Sequence, residues 1–210
     1  MQRFPIHRSI RPAFLLLILA ASAAIAASAQ TDVALSLYGA FSGTTTGNGV
    51  TQSPANQAGG MLELRHISNP LVGYEATYSY NRANRSYFAI CPNTPGFCNV
   101  AQMETVPANA HEITGDWVVS MGLANLRPFA LAGVGMLMNV PAGSQTGTST
   151  STRAVFVYGA GLDWGLLPHL GLRLQYRGNL YKAPDMVNAF QSTNAFTHTA
   201  EPMIGAYFRF

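Results

Sequence analysis

The sequence is short of charge. Asp, Glu, Lys and Arg together make up 10% of its 210 residues, against about a quarter in ordinary soluble domains. Beyond its N-terminal segment it also lacks any apolar run near the roughly 20 residues that a membrane-spanning helix requires. Hydrophobic residues nevertheless reach 48%. Apolar content that is high but dispersed argues against membrane helices. It fits strands whose side chains alternate between an apolar exterior and a polar interior.

The N-terminal segment carries the one apolar run. Arg3, Arg8 and Arg11 precede the apolar stretch Ala13 to Ala26, and Ala27-Ser28-Ala29 offers small residues before Gln30. This is the pattern of a cleavable secretory signal over 1–29, with a single domain over 30–210. Of the 12 Lys and Arg, three lie in that leader, which leaves nine against nine acids. The remaining chain has no basic patch, so nucleic acid is not an expected partner. Cysteine is scarce: Cys91 and Cys98, in CPNTPGFC, are the only two. Their spacing is not that of a CxxC redox or zinc motif. An even count in an exported chain predicts a Cys91–Cys98 disulfide, and Pro92, Pro95 and Gly96 allow the chain to turn between them.

What is present is period-two alternation. Strand-like segments run over roughly 33–41, 57–67, 71–81, 110–121, 127–138, 153–165, 169–182 and 197–210. In the seventh, Leu170, Leu172, Leu174 and Tyr176 oppose Gly171, Arg173, Gln175 and Arg177. In the sixth, Phe156, Tyr158, Ala160, Leu162 and Trp164 oppose Val157, Gly159, Gly161 and Asp163. A helix would scatter these leucines and aromatics around its axis. The fifth segment is apolar on both faces, and alternation does not orient it. Short connections near 68–70, 122–126 and 166–168 alternate with long ones over 42–56, 82–109, 139–152 and 183–196. The long ones are rich in Gly, Ser, Thr, Asn and Pro and read as loops. Together these features predict an all-β fold, an eight-stranded antiparallel up-and-down transmembrane β-barrel, with short periplasmic turns and long extracellular loops.

Two stretches carry a family resemblance. The chain ends Gly205-Ala206-Tyr207-Phe208-Arg209-Phe210, and 127–177 contains PFALAGVG, GAGLDW and PHLGLRLQYR. These resemble the outer-membrane β-barrel superfamily that includes OmpA-type and OmpX-type eight-stranded proteins. Gly205, Phe208 and Phe210 match the spacing with which such barrels end, although Met203 stands where a polar residue is usual. The resemblance implies outer-membrane lipid, periplasmic chaperones and the barrel-assembly machinery as partners, with the last strand as the assembly signal. It specifies an architecture and not an activity.

The charged residues then acquire a place. Glu63, Arg65, Glu75, Glu112, Asp116, Asp163, Arg173, Arg177, Glu201 and Arg209 fall opposite the apolar faces. An eight-stranded lumen is only wide enough for side chains to fill it, so these groups are expected to pair as a polar plug. Two aromatic girdles are expected: Tyr74, Trp117, Phe129, Trp164, Phe208 and Phe210 at the periplasmic end, and Phe41, Tyr80, Phe156, Tyr158 and Tyr181 at the outer end. No metal-ligand spacing, phosphate-binding loop or local Ser–His–carboxylate motif is evident, so no cofactor and no catalysis are expected. The expected role is structural or surface interaction through the loops, the 82–109 loop foremost with Tyr87, Phe88 and Phe97. The alternatives are a lipid-modifying barrel enzyme and a narrow pore or small-ligand barrel.

Overall fold

A computed structural model describes residues 30–69, 71–89, 102–143 and 146–210. The leader, both cysteines and Phe97 lie outside these residues. The strands among them are, in chain order, β1 (Gln30–Ser42), β2 (Thr45–Gly47), β3 (Val50–Pro54), β4 (Gln57–Ile67), β5 (Val72–Arg82), β6 (Arg85–Ala89), β7 (Gln102–Val106), β8 (Ala108–Ser120), β9 (Leu126–Pro141), β10 (Ser151–Gly165), β11 (Leu170–Lys182) and β12 (Phe196–Arg209). Eight of them close an antiparallel barrel in the order β1-β12-β11-β10-β9-β8-β5-β4. β1 completes the ring by pairing with both β12 and β4.

The other four strands form a second sheet, β2-β3-β6-β7. The long connections 42–56 and 82–109 are therefore not plain loops. β3 pairs with β6 as β4 pairs with β5, so this sheet prolongs one side of the barrel wall. The turn from β2 to β3 is made by Asn48 and Gly49, with φ of 51° and 75°. Two consecutive residues at positive φ match the twist of a tight hairpin, and Asn-Gly is the pair best suited to it. The strands on either side span only three and five residues and are rich in Thr and Ser. That is too little alternation to stand out in sequence.

Each barrel strand divides its side chains between two environments. Leu37 is 70% exposed on the outside, while Arg173 is fully buried within. Leu35, Leu64, Ile113, Val134, Leu174 and Ile204 also face outward and are exposed. The structure settles β9: Ala130, Val134, Met136 and Met138 point out, and Phe129, Leu131, Leu137 and Asn139 point in. Two aromatics expected in the girdles turn inward instead, Phe129 and Tyr181. Phe129 lies under the Arg65 guanidinium at 3.9 Å from its ring centre, and the Tyr181 hydroxyl is 2.8 Å from that of Thr199.

The closing seam has one flaw. β1 and β12 pair from Asp32–Arg209 to Tyr38–Met203, and the pairing resumes only at Phe41–Ala200. The interruption centres on Pro202, which has no N–H to donate. On its other side Pro202 stays in register with Tyr176 of β11. Pro202→Val is expected to restore one ladder hydrogen bond and to stabilise the barrel by about 0.5–1.5 kcal/mol. The check is the denaturant midpoint of the folded protein in detergent micelles. An unchanged or lower midpoint would show that the gap has another cause.

Candidate functional site

The inward face of the barrel gathers the charges that the sequence spreads over 170 residues and more. Arg173 on β11 is their centre. Its Nε donates to Asp163 Oδ1 at 2.7 Å, Nη1 to Glu63 Oε2 at 2.8 Å and Nη2 to Asp32 Oδ1 at 2.9 Å. Arg65 on β4 donates through Nε to Glu75 at 2.6 Å and through Nη1 to Asp163 at 3.3 Å. Arg177, two residues along β11, donates through Nη1 to Asp116 at 3.0 Å and lies 3.4 Å from Glu75. Its Nη2 donates to the Thr114 hydroxyl at 3.0 Å. Ser36 donates to Glu63. Gly133 makes room for Asp116, since a Cβ there would run into the Asp116 carboxylate.

Every barrel strand touches this cluster. β1, β4, β5, β8, β10 and β11 supply ionised groups. β9 supplies Phe129 beneath Arg65, and β12 supplies Tyr207, whose ring centre is 5.5 Å from the Arg173 guanidinium carbon. The planar fork of arginine suits this placement, because it serves several carboxylates at fixed angles.

Of the ten charged residues named from sequence, Glu63, Arg65, Glu75, Asp116, Asp163, Arg173 and Arg177 meet in this cluster. Glu112 and Glu201 are buried nearer the loop end and, among the described residues, take part in no ion pair. Glu112 accepts from Asn179 Nδ2 at 3.0 and 3.2 Å. Arg209 stands at the short-turn rim, 5.2 Å from the Tyr207 ring centre, and also makes no ion pair among the described residues. Asp32 lies just outside the segment 33–41 read from sequence, whereas β1 begins at Gln30. Alternation continued back from Ala34 and Ser36 places it inward.

A second constellation closes the other end. The connection 183–195 folds in under the β2-β3-β6-β7 sheet and buries Met186, Val187 and Phe190 there with Tyr87 and Val50. The Tyr87 ring lies 6.4 Å from that of Phe190. Its hydroxyl donates to the Pro184 carbonyl at 2.8 Å, and burial pushes the hydroxyl pKa up to about 12, so it remains a donor. Gln52 also donates to Pro184, and Asn48 Nδ2 donates to the Ser192 carbonyl at 2.7 Å. Arg153 pairs with Asp185.

The end of the chain is positioned by the seam. Gly205 of β12 sits against Ser36 and the Leu35 carbonyl, where any Cβ would clash. Phe208 and Phe210 are exposed on the outer face, with ring centres 6.5 Å apart. The described histidines are likewise at the surface. His111 bonds the Tyr78 hydroxyl at 2.9 Å, His198 that of Tyr158 at 3.0 Å, and His169 the Arg209 carbonyl at 2.9 Å. His66 is 2.8 Å from the Thr31 hydroxyl.

A closed barrel that is apolar outside and ionic inside is the inverse of a soluble domain. Apart from the gap at Pro202, its backbone donors and acceptors pair around the ring, as a lipid environment demands. The fold and its lumen therefore define a transmembrane β-barrel. The sequence matches the outer membrane protein beta-barrel domain family over residues 13–207, and the chain belongs to that family. It is a bacterial outer-membrane protein. The short turns then face the periplasm and the β2-β3-β6-β7 sheet faces outward. Similar solved structures include neisserial surface protein A, NspA (13% identity, TM-score 0.57, 86% of this chain and 97% of that one). OprG of Pseudomonas aeruginosa is 11% identical with a TM-score of 0.54, over 87% of this chain and 96% of that one. Ail, the attachment invasion locus protein of Yersinia pestis, solved with the heparin analogue sucrose octasulfate, is 14% identical with a TM-score of 0.51, over 88% and 100%. At these identities the likeness is one of fold. No curated protein matches the chain by sequence.

The cluster makes a sharp prediction. Arg173→Met would leave three buried carboxylates without their shared cation, at a cost of about 3–5 kcal/mol. It is read as a lower denaturant midpoint or loss of the heat-modifiable gel shift of a folded barrel. Arg173→Lys, which keeps the charge and loses the fork, should fall between. Wild-type stability in Arg173→Met would show that Arg173 does not organise the lumen.

Proposed function

We propose that this protein is a non-catalytic membrane anchor that holds a folded platform outside the cell for surface interaction, with a lumen closed to solute flow. The observation that carries the reading is the build of the outer end. Flexible loops alone would expose polar chain to water, whereas here a four-stranded sheet is backed by its own buried apolar layer of Tyr87, Phe190, Met186 and Val187. Ordering the surface in advance lowers the entropic cost of binding a partner. Phe88 and Met103 pair across β6 and β7 and are exposed, which places apolar side chains on this sheet. The disulfide proposed between Cys91 and Cys98 would staple the chain between those two strands.

The lumen supports the anchor reading over a pore. Arg65, Arg173 and Arg177 reach carboxylates on five of the eight strands, and moving any one arm uncovers a buried charge. In the Ail structure the ligand is a heparin analogue. The cations at the outer end of this chain are dispersed: Arg82 and Lys182 lie on separate strands, and Arg153 is paired with Asp185. Nothing in that arrangement favours a sulfated sugar as the partner. Biogenesis through periplasmic chaperones and the barrel-assembly machinery, with Gly205, Phe208 and Phe210 as the signal, is proposed on the same footing.

Two measurements test the reading. In planar lipid bilayers the purified protein should give no long-lived open-channel steps, and large stable conductance would overturn the closed lumen. Tyr87→Phe, which removes the hydroxyl from Pro184, should weaken the platform by about 1–3 kcal/mol. Limited proteolysis of intact cells should then cut within 183–195 faster than in wild type. Equal rates would mean that the platform does not depend on this contact.

A further inference from the structure

The lumen is not electrically balanced. Asp32, Glu63, Glu75, Glu112, Asp116, Asp163 and Glu201 are buried, and so are Arg65, Arg85, Arg173 and Arg177. Seven carboxylates thus face four guanidiniums. The deficit is not spread evenly. The periplasmic cluster sets five of these acids against Arg65, Arg173 and Arg177, with Arg127 and Arg209 bordering the same end beside Asp163, whereas Glu112 and Glu201 take part in no ion pair among the described residues. Both are buried, at 3% and 5% exposure. Uncompensated charge in such a place is costly, and it is relieved either by taking up a proton or by a counter-charge.

Both glutamates line one cavity in the outer half of the barrel. It offers about 30 Å³ to the centres of water-sized spheres, enough for an ion with a water or two and too little for an organic ligand. Asn84, Asn139 and Asn179 line it as well. Their side-chain oxygens, with Glu201 Oε2, are buried acceptors without a donor. Asn139 is fully buried, and neither atom of its amide has a partner. Asn179 gives its Nδ2 to Glu112, which leaves its oxygen free. A proton shared between the two glutamates would satisfy one acceptor. A cation satisfies the set. Arg85 also lines the cavity and bonds the Tyr181 hydroxyl at 3.1 Å through Nη2. Its Nε and Nη1 are unpartnered donors that suit water.

We propose that this cavity binds a hard divalent cation, with Glu112 and Glu201 as the charged ligands and the carboxamide oxygens of Asn139 and Asn179 completing the shell. Oxygen-only donors select hard ions, and an irregular set from four different strands suits calcium, whose coordination is flexible, better than magnesium. Among the described residues no group of three or more His, Cys, Asp or Glu side chains could hold a metal. The site is built instead from two acids and neutral amides. Entry is available from outside, because the cavity also reaches Ala55 and Arg82, which are exposed.

The test uses the purified full-length barrel in detergent, stripped with chelator and titrated with calcium chloride by calorimetry. One calcium per barrel and a higher unfolding temperature are expected. Glu112→Gln with Glu201→Gln should lower affinity at least about tenfold, with folding verified by the heat-modifiable gel shift. If those variants do not fold, Asn139→Asp decides, since a third carboxylate should tighten calcium binding several-fold. The proposal is overturned if the stripped protein takes up no calcium, if uptake is unchanged in the double glutamine variant, or if Asn139→Asp leaves the affinity unaltered.

Discussion

The contact on which the rest depends is the pairing of β1 with β12. In lipid no water is available to satisfy an open sheet edge, so the first and last barrel strands must meet. Everything inside follows from that closure. It brings Asp32 at the start of the chain to Arg173 near its end, and it makes Gly205 necessary, because Ser36 occupies the space a side chain would need. The same seam tolerates a proline, but only by giving up pairing at Gly39 and Ala40.

Closing at eight strands sets the second constraint. A ring of this size leaves room for side chains and little else, so the interior must be a packed core even though it is polar. The protein solves this with arginine. Each guanidinium spans several strands, and Phe129 and Tyr207 fill the flat faces that the carboxylates leave open. Toward the outside the filling changes character. Val155, Val157, Leu137 and Tyr181 turn inward, and the interior merges with the apolar layer beneath the outer sheet. The apolar lining of the outer lumen and the layer beneath the outer sheet are therefore one continuous core.

Much of this is legible in the sequence, for a physical reason. Alternation is a property of single strands, so Leu170 to Arg177 reveals its two faces without any neighbour. The partners of those residues are not legible. That Arg65 meets Asp163, 98 positions away, depends on the stagger between strands around the ring, which no local pattern encodes. β9 fails for a related reason: its inner face carries Phe129, Leu131 and Leu137, so both faces are apolar. The outer sheet does not stand out in sequence, because its strands are short and rich in Thr and Ser. The Asn48-Gly49 pair that makes the hairpin lies in GTTTGNG, a composition that reads as loop.

The distribution of acids divides the interior into two halves. Around Arg173, where each acid meets at least one guanidinium, the groups lock the wall and leave little freedom for chemistry. Around Glu112 and Glu201, which take part in no ion pair among the described residues, polar atoms face one another across a small cavity with bonding capacity to spare. A core optimised only for stability would replace such atoms with apolar ones, which often cost less to bury. Their presence beside the ion-paired cluster marks the outer lumen as the part of the barrel shaped by something other than closure.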